Sequence, residues 1–381
     1  MAPKRRMKKR SLPKENLGTW EIIMSDIKAG AVVPIISNSF RVEHIFRDEI
    51  FCDEDDVSEK VAEISPVDDE NFTIDEELTE VWADNIGYPM PDNHNLARVA
   101  QYYLIQKEDN YSAKRQYLYF LKDYFLSYLL ADEKCKDLAS KLEIQAEGMK
   151  FSEIVSQMDF PRFDPNSEDP LRLLAKLPLP LYITTSYYDF LERALLLEGK
   201  HPITQICFWN KAKSNVKPEH ITDPNYEPLF NHPDEPPSNH PVVYHLYGLE
   251  DYPQTLVLSE DDFMNFLVSV AKDTDTQNPM VPLRLQQALA GSALLLLGYQ
   301  LRDWDFRILF RFISSYREEE HPLSDSPRGM VIQLRQSQIE GNKKSLDYMR
   351  RYFESKKFDV EWTSADCFIQ KLWDSYNRGQ S

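Results

Sequence analysis

The sequence predicts an α/β fold in which the strands of an open sheet end in polar loops that lead into helices. The strongest observation is the stretch 289–313, LAGSALLLLGYQLRDWDFRILFRFI. Within it, Leu294–Gly298 reads as a buried strand ending in a glycine, and the apolar residues after Asp303 recur at helical spacing. Two further stretches, 179–195 and 242–270, show the same order of strand, turn and helix. Because ligands of such sheets bind beyond the carboxyl ends of the strands, these loops are the predicted site.

The composition excludes several classes of protein. The formal net charge of −18 argues against broad binding to nucleic acid or anionic membranes, because phosphate contacts need clustered Lys and Arg. The four cysteines are scattered without a CxxC pair, which excludes a zinc ribbon and gives no disulfide framework. No secretory segment follows the start and no apolar run reaches membrane length, so we predict a cytoplasmic protein.

Three segments differ from the rest of the predicted domain, 17–381. Residues 1–16 are rich in Lys and Arg and predict a disordered basic tail, with a contact to nucleic acid or an acidic partner as the alternative. Residues 41–178 combine an acidic, turn-rich insertion with helical patterns, which predicts a helical subdomain inserted into the α/β unit. Residues 211–241 hold seven prolines and predict a long surface loop.

Short apolar, β-branched runs predict the strands. In chain order these are Val32–Ile36, Leu179–Ile183, Ile203–Trp209, Val242–Leu246, Thr255–Leu258, Leu294–Gly298, Met330–Leu334 and Phe358–Trp362. The run before Gly298 is too short to span a bilayer, so it is predicted to be a core strand.

Apolar residues at helical spacing predict the helices. These cover Trp20–Lys28, Asn95–Asp132, Leu142–Met158, Asp189–Gly199, Ser259–Val270, Phe306–Ile313 and Cys367–Tyr376. Ser259 is the predicted N-cap of its helix, with Asp261 and Asp262 in the first turn. The aromatic residues within Asn95–Asp132 lie at helical spacing, so we interpret them as core residues and not as ligand-stacking residues.

Four stretches carry the strand ends and loops in a specific order: VVPIISNSF (32–40), LYITTSYYDFLERAL (181–195), HLYGLEDYPQTLVLSEDDFMNFL (245–267) and LLLLGYQLRDWDFRILF (294–310). In this order they resemble the SIR2-like (sirtuin-fold) family, in particular its zinc-free bacterial branch in anti-phage and other immune systems. The resemblance runs from about residue 18 to the end of the chain. It implies a Rossmann-like sirtuin (SIR2) fold with a mostly parallel sheet and an inserted helical subdomain.

The resemblance also implies a ligand and a reaction. In the family a Rossmann-like sheet binds NAD beneath a smaller helical module, and active members break the nicotinamide–ribose bond. NAD or an ADP-ribose-like nucleotide is therefore the implied cofactor, and no zinc is implied. The implied binding residues are Ser37, Asn38, Ser39, Thr185, Gly248, Gly298, Tyr299, Gln300 and Asp303.

The loops depart from the family pattern at the residues that carry the chemistry. The first loop reads Ser37–Ser39 around an Asn where the family has Gly-Ala-Gly, although Asn tolerates left-handed backbone and small residues still admit phosphate oxygens. Ser186 stands at the family's Asn, Tyr188 at its Asp, and Tyr247 at the His that acts as base. Tyr247 has a reference pKa near 10 and is a poor base at neutral pH, and Ser186 offers one donor where an amide offers two.

The candidate catalytic residues are Ser186, Tyr247, His245 and Asp189. His245 lies two residues before Tyr247, on the same face of a strand, so it could polarise Tyr247 or replace it as the base. The alternative is that His245 satisfies backbone groups beside the sheet. Asp189 is either a catalytic acid or a charge at a helix N-terminus, and no Ser/His/Asp spacing supports Ser186 as a nucleophile.

Two functions follow from these residues. Three of the loops depart from the family pattern together. We therefore predict a catalytically degenerate SIR2-like module of a prokaryotic defence system, which acts through nucleotide sensing, a protein partner or an oligomer. The alternative is an active NAD+ hydrolase (NADase) effector of anti-phage immunity that uses a shifted set of residues. A first loop blocked by Phe40 or Tyr188 favours the first function, and an intact pocket with convergent polar groups favours the second. No membrane contact is predicted, and nucleic acid only through Lys4–Lys14.

Overall fold

The computed structural model describes most of the chain. The described residues are 17–40, 74–131, 136–157, 169–210, 236–272, 281–299, 304–320, 330–334, 343–356 and 358–378. The predicted basic tail, the acidic part of the insertion (41–73) and most of the Pro-rich loop (211–235) lie outside them. The predicted binding residues Gln300 and Asp303 lie outside them too.

In the described part of the chain, seven parallel strands form one sheet in the order β3-β4-β2-β1-β5-β6-β7. The strands are β1 (Val32–Ile36), β2 (Leu181–Thr184), β3 (Ile203–Ile206), β4 (Val242–His245), β5 (Ala293–Leu297), β6 (Met330–Leu334) and β7 (Asp359–Trp362). This confirms the predicted α/β class with a parallel sheet. In the sheet, β2 lies on one side of β1 and β5 lies on the other side. The strand order therefore reverses between β1 and β5.

The central strands are buried, as their continuous apolar sequences predict. Every residue of β1, β2, β4 and β5 is buried. Pro34 lies inside β1 although it has no backbone donor. β5 pairs along the whole of β1, whereas β2 pairs with β1 only at Ile35 and Ile36, so the proline lies outside the pairing with β2.

Two predicted strands need correction. The prediction of a strand at Thr255–Leu258 is wrong, because Pro253–Thr255 forms a 3₁₀ turn and the residues after it do not join the sheet. The predicted strand from Ile203 ends at Ile206 and not at Trp209. The Trp209 indole donates to the Thr255 carbonyl at 2.9 Å, so the residue at the end of the predicted Ile203–Trp209 strand bonds to this turn.

The sheet is surrounded by helices. The described helices are α1 (Leu17–Lys28), α2 (Ile74–Ile86), α3 (Leu96–Lys107), α4 (Asn110–Ala131), α5 (Lys136–Gln145), α6 (Phe151–Gln157), α7 (Pro170–Lys176), α8 (Phe190–Leu197), α9 (Glu260–Ala271), α10 (Leu283–Gly291), α11 (Trp304–Glu320), α12 (Lys343–Ser355) and α13 (Ala365–Arg378). The long helical pattern predicted at Asn95–Asp132 is broken into α3 and α4, because Glu108 adopts a left-handed φ of 54°. Helices α2–α6 lie between β1 and β2 in the chain, and we call them the helical module.

Candidate functional site

The ends of β1, β2, β4 and β5 bring four loops to one edge of the sheet. These are the first loop (37–40), the second (185–189), the third (246–259) and the fourth (298–303), which is described only as far as Tyr299. The first and fourth loops flank the reversal of strand order, which is where open α/β sheets bind ligands. The predicted site residues that the structure describes therefore lie at the expected edge.

Ser37 fastens the first loop to the fourth. Its hydroxyl donates to the Gly298 carbonyl at 2.6 Å and accepts from the Phe40 amide at 3.0 Å. Gly298 has a φ of 75°, and a Cβ there would lie 2.6 Å from the Phe40 Cβ, so this close approach requires glycine. Phe40 is buried against it. The Ser37 hydroxyl is thus engaged within the protein, and a large aromatic side chain occupies the end of the first loop.

The second loop is bonded to the first and fourth loops. The Asn38 side-chain oxygen accepts from the Tyr187 amide at 3.3 Å. The hydroxyls of Thr185 and Tyr299 are 3.3 Å apart, and both residues are buried. Ser39 is buried as well. The structure thus brings these predicted binding residues together, and polar atoms of Asn38, Thr185 and Tyr299 are bonded within the protein.

Ser186, the candidate at the family's Asn position, is used to shape the second loop. Its amide donates to the Thr184 hydroxyl at 2.9 Å, and its own hydroxyl accepts from the Tyr188 amide at 3.2 Å. Tyr188 is 1% exposed and packs on Phe151 of the helical module, with ring centroids 5.0 Å apart. Burial raises the pKa of Tyr188 well above its ordinary value, so its phenol stays neutral. The amide and the hydroxyl of Ser186 are therefore both bonded within the second loop.

Tyr247, at the position of the family's base, is a core residue. It is 1% exposed, and its ring stands edge-on to Phe263 and Phe266, with both centroid distances at 5.4 Å. The next residue, Gly248, has a φ of 90°, and a Cβ there would lie 2.5 Å from the Thr255 carbonyl. The turn after Tyr247 therefore needs glycine, and the apolar face of α9 holds the phenol ring.

The two ring nitrogens of His245 bond to groups other than Tyr247, so His245 does not polarise the Tyr247 hydroxyl. Its Nδ1 donates to the Ser186 carbonyl at 2.9 Å, and its Nε2 lies 2.8 Å from the Glu192 carboxylate. Burial lowers the pKa of His245, but the charge and hydrogen bond of Glu192 outweigh burial, so the pKa is raised. Both ring nitrogens are bonded within the protein, which favours the interpretation that His245 satisfies neighbouring groups over its interpretation as a base.

Sequence reasoning missed Glu192, the partner of His245. Glu192 is buried on α8, and it also accepts a hydrogen bond from the Thr204 hydroxyl at 2.9 Å. The available signal was a lone carboxylate within the apolar run FLERALLL. Asp189, the candidate acid, instead forms a two-bond ion pair with Arg193 on the same helix, at 2.6 and 3.1 Å. This ion pair favours the interpretation of Asp189 as a charge at the start of α8.

Glu250 in the third loop was also missed, and it ties this loop to the helical module. Its carboxylate accepts from the Phe151 amide at 3.1 Å and the Ser152 amide at 3.3 Å at the start of α6, and it contacts the Ser152 hydroxyl. Burial raises the pKa of Glu250 to about 7, although the hydrogen bonds from Ser152 oppose this. Glu250 is 8% exposed.

This pKa predicts a pH dependence of stability. The unfolded chain releases the Glu250 proton near its ordinary pKa of 4.5, whereas the folded protein holds the proton until about pH 7. Between these two pH values the folded state binds more protons than the unfolded chain does. The free energy of unfolding therefore falls by about 3 kcal/mol as the pH rises from 4.5 to about 7. We expect Glu250→Gln to remove this slope in denaturant unfolding measured between pH 4.5 and 7.5. The exposed Glu147→Gln is the control, and an unchanged slope in Glu250→Gln would contradict the assignment.

Four tyrosine side chains at the described part of the site edge are buried. Tyr187, Tyr188, Tyr247 and Tyr299 are 4, 1, 1 and 1% exposed. Two surface clefts of the described residues lie elsewhere, one beside α1 and α13 and one between α2 and α4. The parts of the chain that the structure describes contain no group of three or more His, Cys, Asp or Glu side chains able to hold a metal ion. No described helix is both long and apolar enough to cross a membrane.

The comparison with known protein families identifies the domain. The family model described as the SIR2-like domain matches residues 180–360. This range begins just before β2 and ends in β7, so it includes the second, third and fourth loops. No curated protein matches the chain significantly. Together with the Rossmann-like parallel sheet, the match shows that this chain carries a SIR2-like domain.

Proposed function

We propose that this protein is a catalytically degenerate SIR2-like member of a prokaryotic defence system, acting in the cytoplasm through nucleotide sensing or a protein partner. One observation carries the proposal. Tyr247, which stands where the family has its catalytic histidine, is 1% exposed and packed between Phe263 and Phe266. A phenol held there lacks the access that a base acting on a ribose hydroxyl requires.

The surrounding residues support the same proposal. A replacement base would need a nitrogen or carboxylate within hydrogen-bond reach of the substrate. His245 is fully buried with both nitrogens bonded, and Asp189 is paired with Arg193. Loss of a positioned base costs a reaction of this kind roughly 10²–10⁴-fold. The polar atoms of Ser37 and Ser186 are committed to the loops, which leaves few groups to orient ribose or water.

An active NAD+ hydrolase with a shifted residue set remains the second candidate. It is favoured by the reversal of strand order between β1 and β5, because open α/β sheets bind dinucleotides at such a point.

Nicotinamide release separates the two candidates. We expect the purified protein to release no nicotinamide from NAD above the buffer control, because no described base reaches the strand-end site. Release is to be followed by chromatography, on the same samples used for calorimetric titration with NAD and ADP-ribose. Release that is lost in Ser186→Ala or His245→Ala, while the variants stay folded, would establish the hydrolase instead.

The titration also distinguishes a nucleotide-sensing module from one that acts through a protein partner. Saturable binding of NAD or ADP-ribose without release supports a nucleotide-sensing module. Silence in both measurements supports a module that acts through a protein partner. Tyr247→His is a useful companion variant: because the position is enclosed by Phe263 and Phe266, we expect it to leave release at background.

A further inference from the structure

A buried histidine and glutamate connect the second loop to the helix that follows it. His245 is the last residue of β4 and is fully buried, and Glu192 lies on α8 with 6% of its surface exposed. The His245 ring contacts the loop through Nδ1, which lies 2.9 Å from the Ser186 carbonyl. It contacts α8 through Nε2, which lies 2.8 Å from Glu192 Oε1. One imidazole ring therefore bonds to the loop and to the helix at the same time.

The partners of the two ring nitrogens determine how many protons the pair holds. The Ser186 carbonyl can only accept a hydrogen bond, so Nδ1 carries a hydrogen. The Glu192 carboxylate is also an acceptor, and a nitrogen lone pair at 2.8 Å would be repelled by it, so a second hydrogen lies between Nε2 and Oε1. The pair therefore holds one proton more than a neutral imidazole beside a carboxylate would hold.

The charges around the pair favour this additional proton on the ring. Burial lowers the pKa of His245, but the charge and hydrogen bond of Glu192 outweigh burial, so the pKa is raised. The Ser186 carbonyl and the charge of Asp189 act in the same direction as Glu192. The other charged residue of this part of α8 is Arg193, which forms an ion pair with Asp189.

The strands beside β4 add no charge of their own. β2 and β3 contain no Lys, Arg, Asp or Glu, and in the sheet register Thr184 and Ile206 are the partners of His245. Cys207 is the titratable residue that follows β3, and its backbone amide donates to the His245 carbonyl at 3.0 Å. The charge of the ring therefore depends chiefly on Glu192.

Loss of the additional proton would break one of the two contacts of the ring. Glu192 Oε1 also accepts from the Thr204 hydroxyl at 2.9 Å, whereas Oε2 is buried and has no hydrogen-bond partner among the described residues. A buried carboxylate in this state depends on its cation. A neutral imidazole has one hydrogen, so it can bond to the Ser186 carbonyl or to Glu192 but not to both.

We propose that Glu192 and His245 are positioning residues that hold the second loop only while the ring carries both protons. When the ring becomes neutral, its contacts to the loop and to α8 no longer form together, and the loop opens more often. Thr185, a predicted binding residue, lies in this loop, and its amide donates to the Ile36 carbonyl at 2.9 Å. The conformation of the candidate nucleotide site therefore changes with pH. No bound nucleotide is needed for this change, so it holds for either candidate function.

The proton state of His245 is measured first, by nuclear magnetic resonance of the full chain labelled with 15N-histidine. The nitrogen chemical shifts distinguish a charged ring from either neutral tautomer, and the signal that is missing in His245→Gln identifies His245. We expect a charged ring at pH 7 and a transition above the ordinary pKa of 6.5. In Glu192→Gln we expect a neutral ring at pH 7, because the amide can donate to Nε2. A neutral His245 at pH 7 in the unmodified chain would overturn the proposal.

Hydrogen exchange then measures the opening of the second loop. The exchange rates of the amides of residues 185–188 are divided by their intrinsic rates at each pH to give their protection. Glu250 titrates nearby, with a pKa of about 7, and its amide donates to the Tyr187 carbonyl at 2.8 Å, so the measurement uses the full-length Glu250→Gln variant. The contact of a group with a raised folded-state pKa is lost as the pH rises through that pKa. We expect protection to fall about tenfold across the His245 transition, as a shift of one pKa unit predicts.

Two glutamine variants of α8 and its C-cap separate the proposed cause from a general effect of pH. With Glu192→Gln added, the ring keeps a hydrogen bond but not the additional proton, so protection should no longer depend on pH. Glu198→Gln is the matched control, because Glu198 pairs with Arg172 at 2.7 Å and has no contact with His245, so the fall in protection should remain. Protection that stays constant through the His245 transition, or that still falls in Glu192→Gln, would overturn the proposal. The Glu250→Gln measurement alone decides the question if Glu192→Gln does not fold.

Discussion

Replacing Lys114 by methionine is expected to lower the free energy of unfolding by about 3–5 kcal/mol. Lys114 lies on α4 and is 2% exposed. Its Nζ donates to the Leu256 carbonyl at 2.6 Å and to the Asp262 carboxylate at 3.1 Å, and it lies 5.2 Å from the centre of the Trp209 ring. Methionine fills a similar volume but leaves the buried Asp262 charge without its cation. Denaturant unfolding monitored by circular dichroism measures the loss.

Arg98→Met is the matched control for this variant. Arg98 also joins the helical module to α9, where it contacts Glu260 at 3.1 Å, but its side chain is 48% exposed. Exposed ion pairs contribute little to stability because water screens them, so Arg98→Met should be nearly neutral. If both variants lower the free energy of unfolding by the same amount, burial does not explain the effect of Lys114→Met. Adding Asp262→Asn to Lys114→Met should recover part of the loss, because the uncompensated charge is then gone.

The position of the helical module against the third loop depends on contacts that the sequence does not reveal. Lys114 and Asp262 are 148 residues apart, and Ser152 and Glu250 are 98 apart. Periodicity identifies which face of a helix is apolar, but it cannot pair one buried charge with another at such separation. The order of strands and loops could be predicted because it depends on local apolar runs and on a resemblance that covers the strand ends.

At the candidate site, too, the sequence predicts local features but not contacts between residues far apart in the chain. The sequence correctly brought the loops after β1, β2, β4 and β5 to one edge, since parallel strands end together. It could not show that His245 is held by Glu192, 53 residues earlier, because spacing along a strand says nothing about a facing helix. It noted Tyr247 at the family's histidine position, yet the two phenylalanines that enclose its ring were identified only as the apolar face of a helix.

The third loop gives the second large effect: Gly248→Ala is expected to lower the free energy of unfolding by about 2–5 kcal/mol. Gly248 has a φ of 90°, which an L-residue adopts only at a cost. The added methyl group would also lie 2.5 Å from the carbonyl carbon and oxygen of Thr255 and 2.6 Å from its hydroxyl. Because two of these three atoms are backbone, the turn itself must shift. Denaturant unfolding at constant pH measures the change.

Gly87→Ala separates the two causes of this effect. Gly87 has a similar left-handed φ of 69°, but a Cβ there would meet no atom within 4 Å. It should therefore show only the backbone cost, about 1–2 kcal/mol, and the difference between the two variants measures the clash at Thr255. Equal losses of unfolding free energy in the two variants would mean that the third loop accommodates the methyl group at no additional cost. The turn that presents Tyr247 to Phe263 and Phe266 would then be adjustable, and enclosure of Tyr247 would no longer argue against catalysis.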